Sequence, residues 1–129
     1  MFMDIGTIRE LQTQSENDIA SLIVTIDSTI SSKILADNGA VRVALLAFGA
    51  NQRGGFASAE GSKIIRVVEG RIRLKLNGHE YDLEQGGSVT FPAIFSFEMT
   101  AEQPAKVLAT TVYPDANASP QGAVDDGTV

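Results

Sequence analysis

The chain has 129 residues, 43% of them hydrophobic, which is the size of one ordinary domain with enough apolar mass to bury a core unaided. Ten Lys and Arg against 16 Asp and Glu give a formal charge of −6, so a phosphate polyanion meets net repulsion and nucleic acid is not an expected partner. The absence of cysteine excludes disulfide frameworks, thiolate nucleophiles, cysteine zinc sites and cysteine-ligated iron–sulfur clusters. No apolar run approaches the ~20 residues that cross a bilayer, and the opening MFMDIGTIRE lacks the basic flank and apolar stretch of a secretory signal. The expectation is a soluble, cytoplasmic protein with no membrane partner.

In chain order, residues 1–20 read as an N-terminal extension. Thr7 followed by Glu10 is a capping-box pattern, with Ile8 and Leu11 on one helical side, and predicts a short helix or turn. From residue 21 the pattern changes to β-branched, alternating segments separated by turn residues. SLIVTIDS (21–28), ISSKILA (30–36) and VRVALLAF (41–48) read as strands, the last two joined through the turn DNGA. GANQRGG (49–55) reads as a Gly-rich loop over the mouth of the domain, leading into a strand. KIIRVVE (63–69), a turn at Gly70 and RIRLKL (71–76) follow. Asn77-Gly78 then marks a type I′ hairpin, because that turn needs positive φ at both central positions. EYDL, SVTF, FSFEMT and AKVLATTVY complete the series of strands to residue 113. Residues 115–129, with three aspartates and no Lys or Arg, read as an acidic tail.

Many short strands with almost no helix predict an all-β sandwich or barrel spanning residues 21–114. In RIRLKL the cations Arg71, Arg73 and Lys75 alternate strictly with Ile72, Leu74 and Leu76, the pattern of a strand with one solvated and one buried face. His79, directly after the Asn-Gly turn, is expected to be exposed and lacks the orienting partner of a general base. Tyr81 and Tyr113 are expected to pack on strands. No nucleophile elbow, phosphate-binding loop or dinucleotide fingerprint is present.

IIRVVEGRIRLKLNGHEYDLEQGGSVTFPA, residues 64–93, resembles the cupin superfamily: a strand ending in Glu-Gly, a hairpin through Asn-Gly, a short strand, a Gly turn and a strand ending in Phe-Pro-Ala. The likeness extends over residues 28–114 and is strongest to small, single-domain, RmlC-like cupins of the conserved-barrel type. It implies a double-stranded β-helix, a jelly-roll barrel whose two sheets enclose a central pocket. Such proteins commonly hold a metal through two histidines one residue apart, a glutamate seven residues before the Gly of Glu-Gly, and a histidine five residues after the motif-two proline. Here the glutamate position is Lys63 and the final histidine position is Phe97. The paired histidines fall on Phe56 and Ser58, or on Ala57 and Ala59, and the usual motif glycine is Ile94. One histidine in the whole chain cannot supply such a site, so neither metal nor other cofactor is expected.

The resemblance therefore implies a pocket whose walls are Lys63, Phe97, Phe56, Ser58, Ile65 and Val67, with Lys63, Ile65 and Val67 on one inward face by strand alternation. Two readings of Lys63 stay open: an ammonium in a pocket that serves as base, Schiff-base amine or carboxylate anchor, or a lysine at the barrel mouth with its head in water. Its candidate partners are Glu60, Glu69 and Glu98. Phe97, with Phe95 and Met99 on the same stripe, is either core or an apolar wall for a flat ligand. The leading functional reading is a metal-free small-molecule-binding or scaffold barrel. The alternative is a metal-independent isomerase or lyase acting on a small carbonyl or sugar-like substrate. A homodimer is expected, because the second face of the Lys63 strand, which reads Ile64, Arg66 and Val68, and both sides of SLIVTIDS are too apolar to be plainly solvated.

Overall fold

The computed structural model describes residues 18–57, 60–93 and 96–114. The helix expected near Thr7 and Glu10, the acidic tail, Ser58, Ala59, Ile94 and Phe95 lie outside the described residues. Among the described residues the chain forms a 3-10 turn at Ile19–Leu22 and nine strands. These are β1 (Ile30–Asp37), β2 (Val41–Phe48), β3 (Gln52–Ala57), β4 (Ser62–Glu69), β5 (Arg71–Leu76), β6 (His79–Glu84), β7 (Ser88–Phe91), β8 (Ser96–Ala101) and β9 (Ala105–Val112). They pair in two sheets of order β1-β2-β9-β4-β7 and β3-β8-β5-β6, with the strands of every pair antiparallel. This is the all-β arrangement expected from the alternation, and the jelly-roll barrel that the resemblance implies. No helix among the described residues is long and apolar enough to cross a membrane.

Period-two patterning decides what faces inward. In β5, Ile72, Leu74 and Leu76 are buried while Arg71, Arg73 and Lys75 are exposed. The inner faces of the two sheets meet in one core in which Phe48, Ile65, Val67 and Val107 oppose Ile72, Leu74, Met99 and Ala101, all without solvent exposure. Each large side chain in that set contributes about 1.5–3 kcal/mol by leaving water. The exposed cations of β5 stand directly opposite acids of β6: Arg71 against Glu84, Arg73 against Asp82 and Lys75 against Glu80. Ion pairs cross there at 2.8 Å (Arg71–Glu84) and 3.8 Å (Lys75–Glu80), and Arg73 reaches Glu102 at 3.5 Å. The basic stripe is thereby neutralised on its own sheet.

Two elements differ from the sequence reading. SLIVTIDS is not a strand: Ile19–Leu22 winds into a 3-10 turn, and the chain from Ile23 to Ser28 joins neither sheet. A repeat of three brings Ile19 and Leu22 to the same side. Together with Ile23 they cover the outer face of the five-stranded sheet over Leu35, Leu45, Ala47 and Val68. Carbonyls of this segment are taken by lysines of the sheet rather than by a ladder: Lys106 Nζ donates to Ala20 O at 2.7 Å and Lys33 Nζ to Leu22 O at 2.8 Å. The apolar face from which self-association was expected is thus partly covered by the chain itself, and Ile64 and Val112 remain about 40% exposed on it. Second, the presumed mouth loop GANQRGG is strand from Gln52 onward, because β3 pairs residue for residue with β8.

Turn geometry follows residue type. Asn77 (φ 52°) and Gly78 (φ 84°) both adopt positive φ, as the type I′ turn requires. Gly70, between β4 and β5, has φ 82°, and a Cβ there would stand 2.7 Å from the carbonyl oxygen of Pro104. Gly70→Ala is therefore expected to destabilise the fold by ~1–3 kcal/mol. Gly55→Ala, where a Cβ meets nothing within 4 Å, should stay within about 0.5 kcal/mol of wild type. Urea denaturation of the two variants measures the difference, and equal losses would contradict the steric account.

Candidate functional site

One row of residues runs across the five-stranded sheet at the open end of the barrel. Asp37 on β1 pairs with Arg42 on β2, Arg42 with Thr111 on β9, Thr111 with Lys63 on β4, and Lys63 with Phe91 on β7. Lys63 points inward on the same face as Ile65 and Val67, and its Nζ donates to Thr111 Oγ1 at 2.7 Å. Its side chain is 13% exposed, and the nearest carboxylate is Glu60 at 3.9 Å. The other two candidate partners lie elsewhere, Glu69 with Lys106 and Glu98 with Arg53.

The opposing wall comes from the four-stranded sheet. Phe56 and Phe97 are paired across β3 and β8, and their rings stack at 5.4 Å and 21°. Phe91 meets Phe97 edge-on at 4.8 Å, and Phe48 meets Phe56 edge-on at 6.5 Å. Such contacts add about 0.5–1.5 kcal/mol each beyond area burial. Phe97 is 6% exposed and Met99 fully buried, whereas Phe56 is only partly covered.

Between these walls lies a cavity of about 220 Å³. It exists because the row below Arg42, Thr111 and Lys63 carries alanines on two neighbouring strands, Ala44 paired with Ala109, followed by Ile65. Its rim is polar, with Arg42, Glu60, Lys63 and Thr111, and its wall is apolar, with Phe56, Phe97, Met99 and Ile65. Of the residues expected at the pocket, Lys63, Phe97, Phe56 and Ile65 come together here. Val67 does not: it lies one row deeper, paired with Val107, in the closed core. Ser58 is outside the described residues. His79 is exposed at the start of β6, opposite Leu76 on the β5–β6 hairpin. Tyr81 is 38% exposed, and Tyr113 sits beyond β9 with the Arg42 guanidinium 5.8 Å from its ring centre.

The sequence reading missed Arg42, Thr111 and the alanine pair. Arg42 shares the even parity of Ala44, Leu46 and Phe48 in VRVALLAF, which is enough to turn it inward. Its Nε donates to Asp37 at 3.1 Å, which holds it charged, and its Nη1 lies 3.8 Å from Glu60. Burial pushes the Lys63 ammonium below the ordinary lysine value; Glu60 opposes this and the Arg42 charge adds to it. Burial likewise raises the Tyr113 phenol.

A larger, more open groove of about 400 Å³ lies on the solvent face of the four-stranded sheet, between Arg71, Arg73, Glu84 and Glu102. Its cations are already matched by the acids beside them. The smaller barrel cavity is the better candidate, since polar groups and an aromatic wall converge there.

The family model described as Cupin domain matches residues 45–111, just over half of the chain, and the chain belongs to the cupin family. Solved structures share the architecture. A cupin superfamily protein from Desulfitobacterium hafniense is 19% identical with a TM-score of 0.77, over 83% of this chain and 98% of that one. A conserved protein of unknown function from Streptococcus pyogenes is 15% identical with a TM-score of 0.76, over 84% and 96%. An RmlC-like cupin from Desulfovibrio desulfuricans is 19% identical with a TM-score of 0.67, over 78% and 97%. At these identities the likeness is one of fold. No curated protein matches the sequence.

The metal that many cupins hold does not fit the residues found here. Two cations, Arg42 and Lys63, flank the cavity, and the stacked pair Phe56–Phe97 offers no donor atom. Among the described residues no three His, Cys, Asp or Glu cluster as a ligand set. Phe97 instead closes an aromatic chain through the barrel, so Phe97→Ala should cost ~3–5 kcal/mol of folding stability. Guanidinium denaturation measures this, and a loss below about 1 kcal/mol would show that the ring is not part of the packed core.

Proposed function

We propose that this protein is a metal-independent cupin module that binds a small, partly apolar molecule in the barrel cavity, with Lys63 as its polar anchor. The observation that carries this reading is the cavity itself: about 220 Å³ of space with an ammonium at its rim and stacked phenyl rings along its wall. An apolar cavity of ~150 Å³ accepts a benzene ring, so this volume suits a single ring or short chain bearing one polar group. The convergence of two cations and an aromatic wall on one water-accessible space favours a binding role over a scaffold alone.

Acid–base catalysis by an isomerase or lyase is less well supported. It calls for two groups poised on one substrate atom, with the base held by an orienting partner. Lys63 is instead bonded to a hydroxyl, and Glu60 is more than half exposed and 3.9 Å away. The lone histidine is exposed on the β5–β6 hairpin, two strands along the sheet from Phe97, and does not line the cavity.

A thermal-shift screen of small carboxylates and aromatic acids tests the binding reading. At least one compound should raise the unfolding midpoint of wild type. Lys63→Ala should weaken that compound by ~1.5–3 kcal/mol, the worth of a hydrogen bond to a charged group. A screen with no stabilising compound, or with hits indifferent to Lys63→Ala, would overturn it.

A further inference from the structure

Arg42 and Lys63 come from different strands, yet both approach the same atom, Oε1 of Glu60, at 3.8 Å and 3.9 Å. Neither distance is a hydrogen bond. The Glu60 side chain is 55% exposed and belongs to the turn before β4 rather than to the barrel wall. The two cations, by contrast, are fixed from behind. Asp37 holds Arg42 through Nε, the Tyr113 ring lies beside the guanidinium, and Thr111 holds Lys63. Arg42 Nη1 and the remaining Lys63 protons are thus aimed at a point occupied loosely by the chain's own carboxylate.

We propose that the cavity is a carboxylate site, in which the carboxyl group of the ligand bridges Arg42 and Lys63 while its apolar body lies along Phe56 and Phe97, and that Glu60 is an internal competitor which the ligand displaces. This rests on the binding reading above and adds the ligand's charge and the residue that sets its affinity. A guanidinium and an ammonium together favour a planar anion, because the guanidinium presents N–H groups in a fork and the ammonium a third donor. A neutral ligand of the same shape gains the phenyl wall but leaves the cations with Glu60. Glu60 thereby discriminates: it must be moved by an anion, and it need not be moved by a molecule that enters only the apolar part.

Isothermal titration with benzoate and its neutral isostere benzamide, on wild type, Glu60→Gln and Glu80→Gln, tests this. Glu60 is exposed and makes no hydrogen bond to the barrel among the described residues, so Glu60→Gln should fold as wild type does. Glu80→Gln removes the same charge from the solvent face of the β5–β6 hairpin, outside the cavity lining, where Glu80 faces Lys75. Benzoate should bind more tightly than benzamide. Glu60→Gln should tighten benzoate by roughly two- to fivefold, the scale of the exposed ion pairs a ligand must otherwise break, and leave benzamide unchanged. Glu80→Gln should alter neither. Equal binding of the two probes, or equal effects of the two substitutions, overturns the carboxylate-competition inference while leaving the cavity as a binding site. Failure of both probes to bind any variant overturns the inference and the binding reading together.

Discussion

Two cross-strand pairs face each other across the open end of this barrel, Lys63 with Thr111 on one sheet and Phe56 with Phe97 on the other. The chemistry available to the protein depends on that opposition. A jelly roll always brings its two inner faces together at such a point, and something must fill the space or be held there. With imidazole and carboxylate the space holds a cation. A lysine and two phenyl rings offer a metal no ligand set, since the ammonium is itself cationic and the rings supply only contact. The hydrogen bond to Thr111 keeps Lys63 at the rim, and the stacked rings keep the opposing wall in place.

The fold was legible to the extent that period two is unambiguous. RIRLKL alternates without exception, and its strand is exposed and buried in the same order. Asn77-Gly78 specifies its turn by itself. The failure came at SLIVTIDS, where four apolar residues in five positions fit a strand covered on both faces equally well as a segment lying flat on a sheet. The ammonium groups of Lys33 and Lys106 take the carbonyls of Leu22 and, just before the segment, Ala20 from more than ten residues away, and no local pattern encodes such contacts. GANQRGG misled for the opposite reason. Two adjacent glycines suggest a loop, but Gly54 and Gly55 sit in register with Met99 and Glu98 on β8, and the long-range ladder overrides local propensity.

At the site, the inward direction of Lys63 and the opposition of Phe97 followed from counting along strands. Val67 was assigned to the pocket by the same parity, yet parity gives the face and not the depth. One row separates Ile65, beside the alanine pair, from Val67, which is sealed beneath it. Ala44 and Ala109 are unremarkable in the sequence, and only their adjacency on β2 and β9 turns two small side chains into a cavity. Arg42 was hidden similarly, close behind a hairpin turn where a solvated cation is the ordinary expectation.

A cationic rim and an aromatic wall stand at the positions where many cupins hold a metal, so the inner site should not take one. Elemental analysis of the purified protein, combined with thermal unfolding with and without zinc, nickel, manganese or iron, tests it most directly. No stoichiometric transition metal is expected, nor an unfolding midpoint that any of these ions raises. One tightly bound metal per chain, lost together with stability on chelation, would contradict it.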